Sequence, residues 1–223
     1  RGGQVLRAAR VDVPADISSA AFFLVAAAIC PGSDLVLRHV GMNPTRTGVL
    51  HVLRAMGADI TESNPQLVGG EPVADLHVRG GRLKGITIDP AWVPLAIDEF
   101  PALFIAAACA EGVTELRGAE ELRVKESDRI QVMADGLAAV GLPVTVLPDG
   151  MRIEGRGGEA HPFAGGTVEA HGDHRIAMSF TVAALRSGGP IHIRDTANVA
   201  TSFPGFVALA RSVGLDVSVA AGA

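Results

Sequence analysis

Two stretches of the chain are apolar at nearly every position, FFLVAAAI from Phe22 and FIAAACA from Phe104. A helix without a polar face must be buried on most of its sides. Residues that can cap a helix precede both stretches, Asp16 to Ser19 in the first case and Asp98 at the N-cap position in the second, and a glycine follows each. The pattern predicts two Ala-rich helices in the interior of the protein.

The stretch from Glu121 to Val140 has a single apolar stripe instead. Apolar residues recur there at three- and four-residue intervals, which predicts an amphipathic helix that ends at Gly141. At about 100° per residue, Glu126 projects near the middle of the stripe, with Lys125 and Arg129 on its flank. A helix N-terminus is partly positive, so this first turn predicts an anion site that contains an acid. A solvated helix start with local charge pairs is the alternative.

The same order of elements recurs three times. An Ala-rich helix, a short strand, a second helix and a strand pair follow one another from about residue 11, from 86 and from 159. We expect one domain of three βαβαββ repeats, 11–85, 86–158 and 159–223, an inside-out α/β barrel with the Ala-rich helices inside and the sheets outside. The Gly- and Pro-rich segments 64–75 and 155–166 are expected to be loop-like linkers between the repeats.

The amino-acid composition excludes several classes of protein. The chain is 48% apolar and 19% charged, which excludes a disordered protein, and its net charge of −5 argues against a nucleic-acid or anionic-membrane surface. The apolar run from Ala20 to Ile29 is too short to span a bilayer. Cys30 and Cys109 are expected to be buried, inert thiols in a reducing, cytoplasmic compartment. No metal or organic cofactor is indicated, because the seven histidines lack ligand spacing.

Three predicted helix entries are unusually polar, at Asp98, at Lys125 to Arg129, and at Asp173 to Arg175. Each has a structural explanation of its own, such as a helix cap worth about 1 kcal/mol or a satisfied histidine at position 174. If the three entries converge, they form a cationic pocket with two carboxylates. Such a pocket suits an anionic substrate and proton transfer.

Several sequence motifs, taken together, resemble those of a known protein family. RVKESDR, IDEFP, HGDHRIAMSF and TSFPGF, read together, resemble the 5-enolpyruvylshikimate-3-phosphate synthase family, and NPTRTG and VPADISSAAF resemble its glyphosate-tolerant bacterial branch. The resemblance covers essentially the whole chain. It implies the inside-out α/β barrel fold and also implies that this is the C-terminal domain alone, with half of a site that lies between two domains. The complementary N-terminal domain is then a required partner.

The resemblance also implies a reaction and site residues. The enolpyruvyl group of phosphoenolpyruvate would pass to the 5-hydroxyl of shikimate 3-phosphate, with release of phosphate. Asp98 would help to remove the hydroxyl proton, Glu126 would deliver and retrieve a proton at the methylene carbon, and Lys125 would neutralise charge near both substrates. Arg129 and Arg175 would hold phosphoenolpyruvate, with His174 beside them.

Two positions depart from the family pattern, and two other functions remain open. Thr201 stands where many members have a lysine, and Glu121 stands where many have an asparagine. The first alternative is the related UDP-N-acetylglucosamine enolpyruvyl transferase, which RVKESDR and DHR as written disfavour. The second is a non-catalytic folding or complementation domain, and we expect the isolated chain to be inactive without its partner.

Overall fold

The computed structural model describes Gly3, Val5 and residues 10–220. Its helices are α1 (Ile17–Ile29), α2 (Gly48–Ala55), α3 (Phe100–Ala108), α4 (Arg129–Ala139), α5 (His174–Ala183), α6 (Ala197–Ser202) and α7 (Phe206–Ser212). Its strands are β1 (Asp34–Gly41), β2 (Asp59–Val68), β3 (Glu71–Arg79), β4 (Leu83–Lys84), β5 (Ala110–Leu116), β6 (Thr145–Leu147), β7 (Gly150–Arg156), β8 (Gly166–Glu169) and β9 (Ile191–Arg194).

The strands form three separate sheets. The first has the antiparallel order β1-β3-β2, the second has the order β4-β5-β7-β6, and the third contains β8 and β9. In the second sheet, the parallel strands β4 and β5 precede and follow the interior helix α3 in the chain. In the third sheet, the parallel strands β8 and β9 precede and follow α5 in the same way. A parallel bridge between Ala15 and Val40 makes the same connection around α1. One β-α-β connection is therefore used three times.

The Ala-rich helices fill the interior, as predicted. Every residue of α3 is buried, and Ser19 is the one residue of α1 that is not. Both helices pack against α5 and against each other. Small side chains let the helix backbones approach closely, while the strands, such as β1, alternate between inner and outer residues. The fold is mixed α/β with helices inside and sheets outside.

The amphipathic helix begins later than the sequence suggests. Residues Glu120–Val124 form a 3₁₀ turn, Lys125 is extended, and α4 begins at Arg129. The Asp128 side chain accepts a hydrogen bond from the Gln131 N–H at 3.1 Å, which sets the start of the helix. Glu126 precedes the helix and does not lie on its apolar stripe, so that prediction was wrong.

Three further predictions need correction. Segment 64–75 is not a loop, because it holds the ends of β2 and β3 and the turn at Gly69 and Gly70 between them. The second repeat has three strands within residues 86–158 and the third has two within residues 159–220, rather than four in each. Its last helix is divided into α6 and α7, since Pro204 interrupts the chain between them. The loop predicted at 155–166 does follow β7, which extends to Arg156.

The two cysteines are free in the described part of the chain. Burial raises the pKa of Cys109 to about 12 and also raises the pKa of the half-buried Cys30. A thiol with a raised pKa is a poor nucleophile at neutral pH, which fits the expectation of inert cysteines. None of the helices described here has both the length and the apolar character needed to cross a membrane.

Candidate active site

The polar entries of α3, α4 and α5 meet at one end of the interior helices. The segments that supply them are far apart in sequence, and direct contacts join them into one network. All six residues predicted for the site lie in this network or beside it. They are Asp98, Lys125, Glu126, Arg129, His174 and Arg175.

Arg129 is the centre of the network. Its side chain is 1% exposed, although it is an arginine in the first turn of a helix. Its Nε donates to Asp173 Oδ2 at 2.9 Å, its Nη1 to Asp98 Oδ1 at 3.1 Å and its Nη2 to Glu126 Oε2 at 2.5 Å. A buried guanidinium requires such partners, because an unpaired charge in the interior is costly.

Asp173 is the fully buried partner of Arg129. It caps α5, as its position before His174 suggests, by accepting a hydrogen bond from the Arg175 N–H at 2.9 Å. The Ser127 hydroxyl also donates to it at 2.9 Å. Burial opposes ionisation of Asp173, but its bonds to Arg129, Ser127 and the backbone outweigh burial and lower its pKa. Asp173 therefore ties the start of α5 to the start of α4 as a carboxylate.

Asp98 is not an N-cap, contrary to the prediction. It lies in a 3₁₀ turn, Ile97–Glu99, and α3 begins at Phe100 with a proline in its first turn. A proline is tolerated there because those N–H groups have no helical partner. Freed from capping, the Asp98 carboxylate faces Arg129 and lies 3.3 Å from Lys125 Nζ. Burial raises its pKa, but the charges of Arg175, Lys125 and Arg129 outweigh burial, and the net pKa is lowered.

Lys125 and Glu126 form the exposed side of the network. Lys125 pairs with Glu121 as well as with Asp98. The Glu121 hydrogen bond, followed by Asp98, raises the Lys125 pKa, so the amine stays protonated. The Glu126 side chain is 50% exposed, which leaves its carboxylate open to a ligand.

Arg175 has fewer partners than Arg129. Its Nη1 donates to the Asp98 carbonyl at 2.9 Å and lies 3.8 Å from Glu99 Oε1, and its side chain is 15% exposed. The neighbouring His174 is half-buried. Burial, followed by the charge of Arg175, lowers the pKa of His174, so its imidazole is neutral at pH 7.

Sequence reasoning missed a second group behind Arg175. Glu99 is 3% exposed and accepts a hydrogen bond from the Ser18 hydroxyl, and Arg46 Nη2 donates to Ser18 Oγ at 2.8 Å. Burial raises the pKa of Glu99, despite its hydrogen bond to Ser18. The available signal was a second carboxylate directly after Asp98, at the entry to a wholly apolar helix.

Thr201 lies outside this network. Its hydroxyl donates to the Asn198 carbonyl at 2.9 Å within α6, and the residue is exposed. Among the described residues, no group of three or more histidine, cysteine, aspartate or glutamate side chains is arranged to hold a metal ion.

The arrangement combines two chemical capacities. Carboxylates held close to a buried arginine can accept or deliver protons at defined positions. Guanidinium and ammonium groups beside them can hold phosphate or carboxylate groups. Such a site suits acid–base chemistry on an anionic substrate.

The chain is similar to known proteins that share one name. The family described as EPSP synthase (3-phosphoshikimate 1-carboxyvinyltransferase) matches residues 1–209. A 3-phosphoshikimate 1-carboxyvinyltransferase of Methylococcus capsulatus is 66% identical over 219 residues, 98% of this chain and 49% of the relative. One from Alkalilimnicola ehrlichii is 64% identical over 217 residues, 97% of this chain and 48% of the relative. The chain thus spans about half the length of the curated relatives it matches.

The chain is also similar to solved structures. An EPSP synthase from Acinetobacter baumannii superposes with a TM-score of 0.93 at 60% identity, covering 95% of this chain and 48% of the other. The enolpyruvyl transferase NikO from Streptomyces tendae has a TM-score of 0.66 at 20% identity, covering 90% and 43%, which shows a shared fold alone.

Proposed function

The chain belongs to the EPSP synthase family, and we propose that the protein containing it transfers the enolpyruvyl group of phosphoenolpyruvate to the 5-hydroxyl of shikimate 3-phosphate, releasing phosphate. One structural observation supports this proposal most strongly. Asp98, Lys125, Glu126, Arg129 and Arg175, from three distant segments, form one connected group of cations and carboxylates. That group matches the chemistry that the reaction requires.

We propose that this chain supplies one side of a site between two domains. The support is that it spans about half the length of its relatives and that Glu126 is half-exposed. A complementary N-terminal half would then supply the opposing cations and enclose the substrates. The isolated chain would lack those cations and would not turn over substrate.

In the addition step, Asp98 would take the proton of the 5-hydroxyl while the hydroxyl oxygen bonds to C2 of phosphoenolpyruvate. Glu126, which would enter this step as a carboxylic acid, would give its proton to the methylene carbon, which becomes a methyl group. The low pKa of Asp98 keeps it ionised and able to accept a proton. Lys125, 3.3 Å from Asp98 Oδ1, would offset the negative charge of both substrates.

In the elimination step, Glu126 would take a proton back from the methyl group. The C2–phosphate oxygen bond breaks, the double bond of the enolpyruvyl group forms, and inorganic phosphate leaves with the proton that Asp98 had accepted, so that Asp98 is ionised again. The Arg129 guanidinium, 2.5 Å from Glu126 Oε2, would hold this carboxylate in place between the two steps. One glutamate would therefore serve as acid and then as base.

The two arginines would bind phosphoenolpyruvate to different degrees. Arg175 is paired with a single carboxylate, at 3.8 Å, among the residues described, so its guanidinium is available to an anion. Arg129 already bonds to three carboxylates, and it can contact an anion only if Asp98 or Glu126 gives up its bond. His174, neutral at pH 7, would lie beside the bound anion as a hydrogen-bonding group.

The compartment and the inhibitor response remain parts of this proposal. Cys30 and Cys109 are free thiols, which supports the reducing environment of the cytoplasm. The resemblance of NPTRTG to the glyphosate-tolerant branch stays a prediction.

Phosphate release from phosphoenolpyruvate and shikimate 3-phosphate tests the proposal. The chain reassembled with its N-terminal half should release phosphate, and the chain alone should not. In the reassembled protein, Glu126→Gln should lower kcat about 10²- to 10⁴-fold, the usual contribution of a positioned acid or base, with KM little changed. Glu120→Gln, an exposed glutamate of the preceding 3₁₀ turn, is the matched control.

No phosphate release by the reassembled protein would refute the proposed activity. Release by the chain alone would refute the claim that the site needs a second half. Equal kcat values for the Glu126→Gln and Glu120→Gln variants would remove Glu126 from proton transfer.

A further inference from the structure

The NPTRTG segment, residues 43–48, lies outside the network around Arg129 and is fixed by hydrogen bonds of its own. Asn43 Oδ1 accepts hydrogen bonds from the Thr45 N–H at 3.0 Å and from its hydroxyl at 2.8 Å. The Gly48 N–H donates to the Leu95 carbonyl at 3.1 Å. A Cβ on Gly48 would lie 2.6 Å from the Leu95 carbonyl carbon, so glycine is needed for this contact. The loop is therefore held against the segment that leads into Asp98.

The loop places Arg46 at the edge of the candidate site. Arg46 Nη2 donates to Ser18 Oγ at 2.8 Å, and the Ser18 hydroxyl donates to Glu99. Glu99 in turn lies 3.8 Å from Arg175 Nη1. Two intervening side chains, both buried, thus connect an exposed arginine of the first repeat to the predicted anion-binding arginine of the third.

The charge around Arg46 is not neutralised locally. Within the described residues, no carboxylate oxygen lies within 4.0 Å of its guanidinium, and its one hydrogen bond is to a hydroxyl. The carboxylate nearest to Arg46 along these contacts is that of Glu99, which Ser18 separates from it. Burial raises the pKa of Glu99 and so opposes its ionisation. Arg46 and Arg175 therefore make this edge of the site positive, with several N–H donors of Arg46 left for a ligand.

We propose that Arg46 is a further binding residue for phosphoenolpyruvate, and that its guanidinium holds an anionic group of this substrate beside Arg175. The inference rests on the proposed function, since it names a ligand of the same site. The hydrogen bond from Arg46 to Ser18 supports it, because an arginine side chain held in advance loses less entropy when it binds. Arg46 acts in binding and has no part in proton transfer.

Steady-state kinetics of the proposed parent enzyme, in which this chain would be joined to an N-terminal half, test the inference. Arg46→Gln should raise KM for phosphoenolpyruvate about 10-fold or more, as expected for loss of a charged hydrogen bond, with kcat changed less than about 2-fold. KM for shikimate 3-phosphate should stay constant. Arg38→Gln is the matched control, an exposed arginine of β1 that undergoes the same change of charge.

Two variants separate direct binding from an effect transmitted through Glu99. Arg46→Lys keeps the charge and should recover part of the lost affinity for phosphoenolpyruvate. Ser18→Ala removes the hydroxyl between Arg46 and Glu99 but keeps the Arg46 charge, and should raise KM less than Arg46→Gln does. A KM increase as large in Ser18→Ala as in Arg46→Gln would overturn direct binding.

The inference also fails if Arg46→Gln and Arg38→Gln give the same KM for phosphoenolpyruvate, or if KM rises for shikimate 3-phosphate alone. An inactive wild-type parent enzyme would instead refute the proposed function. The two failures are therefore distinguishable in one set of assays.

Discussion

Arg129 and Arg175 lie close to each other in the site, and both come from helix starts, yet their surroundings differ. The Arg129 centre contains two cations and four carboxylates, namely Arg129, Lys125, Asp98, Glu121, Glu126 and Asp173. The Arg175 centre contains two guanidinium groups and the buried Glu99, whose pKa is raised. One centre has an excess of acids, and the other has an excess of cations.

This difference in surroundings indicates which role each arginine can have. Arg129 is enclosed, so its main effect is to fix three carboxylates at defined positions. Arg175 has one distant carboxylate partner and some exposure, so it can bind an anion without breaking a buried pair. The number of partners and the degree of burial, rather than the residue type, therefore separate the arginine that orders the acids from the arginine that is open to an anion.

The largest effect should come from breaking the Arg129 centre at its buried carboxylate. Asp173→Ala leaves the guanidinium of Arg129 without its fully buried partner, and loss of one member of such a pair costs about 3–5 kcal/mol. Urea unfolding of the chain should report this loss of stability.

Asp128→Ala is the control for that experiment. Asp128 caps α4 as Asp173 caps α5, and it also pairs with Arg123 at 2.7 Å. It is not buried, so its removal should cost only about 1–2 kcal/mol. Equal losses in the two variants would mean that the buried pair contributes no more than a helix cap.

A smaller effect should follow from Arg175→Gln, and it should appear in binding. Loss of a charged hydrogen bond to an anion costs about 1.5–3 kcal/mol, so KM for phosphoenolpyruvate should rise about 10- to 100-fold in the parent enzyme. The unfolding free energy should fall less than in Asp173→Ala. The comparison fails if Arg175→Gln destabilises the fold strongly and leaves KM unchanged.

The smallest effect concerns pH, and the two centres should respond with opposite sign. The pKa values of Asp98 and Asp173 are lowered, so their contribution to stability is present above about pH 3.8 and is lost as pH falls through their folded pKa values. The Glu99 pKa is raised from 4.5, so its contribution is lost as pH rises through the folded pKa.

Replacement of Glu99 by Gln should remove this second dependence. Unfolding of wild type and Glu99→Gln, measured from pH 4 to pH 7, should show the variant gaining relative stability as pH rises. The gain should be about 1.4 kcal/mol for each unit by which folding raises the pKa. A stability difference independent of pH would show that Glu99 titrates normally.

Hydrophobic pattern was enough to predict the interior of the molecule. FFLVAAAI and FIAAACA have no polar face, and burial on all sides is the one stable arrangement for such helices. The first residues of the helices were harder to predict than their buried parts. Asp173 caps α5. The helix expected to include Lys125 and Glu126 instead begins at Arg129, because the Asp128 side chain accepts a hydrogen bond from the Gln131 N–H.

The contacts between distant segments could not be read from local patterns. Glu99 is buried because Ser18, Arg46 and Arg175, which are remote from it in sequence, meet around it. Periodicity gives the direction of a side chain relative to its own helix, and it does not give the group opposite. For that reason Arg129 was expected on the flank of a stripe rather than inside a cluster of carboxylates.

The most direct test of the two-centre account is an NMR titration of the reassembled protein with phosphoenolpyruvate in the presence of shikimate 3-phosphate. With ¹⁵N-arginine incorporated in this chain alone, the side-chain Nε–H signals can be assigned by substitution. The Arg175 and Arg46 signals should shift most, and the enclosed Arg129 signal should shift least. The largest shift at Arg129, with Arg175 and Arg46 unchanged, would contradict the account.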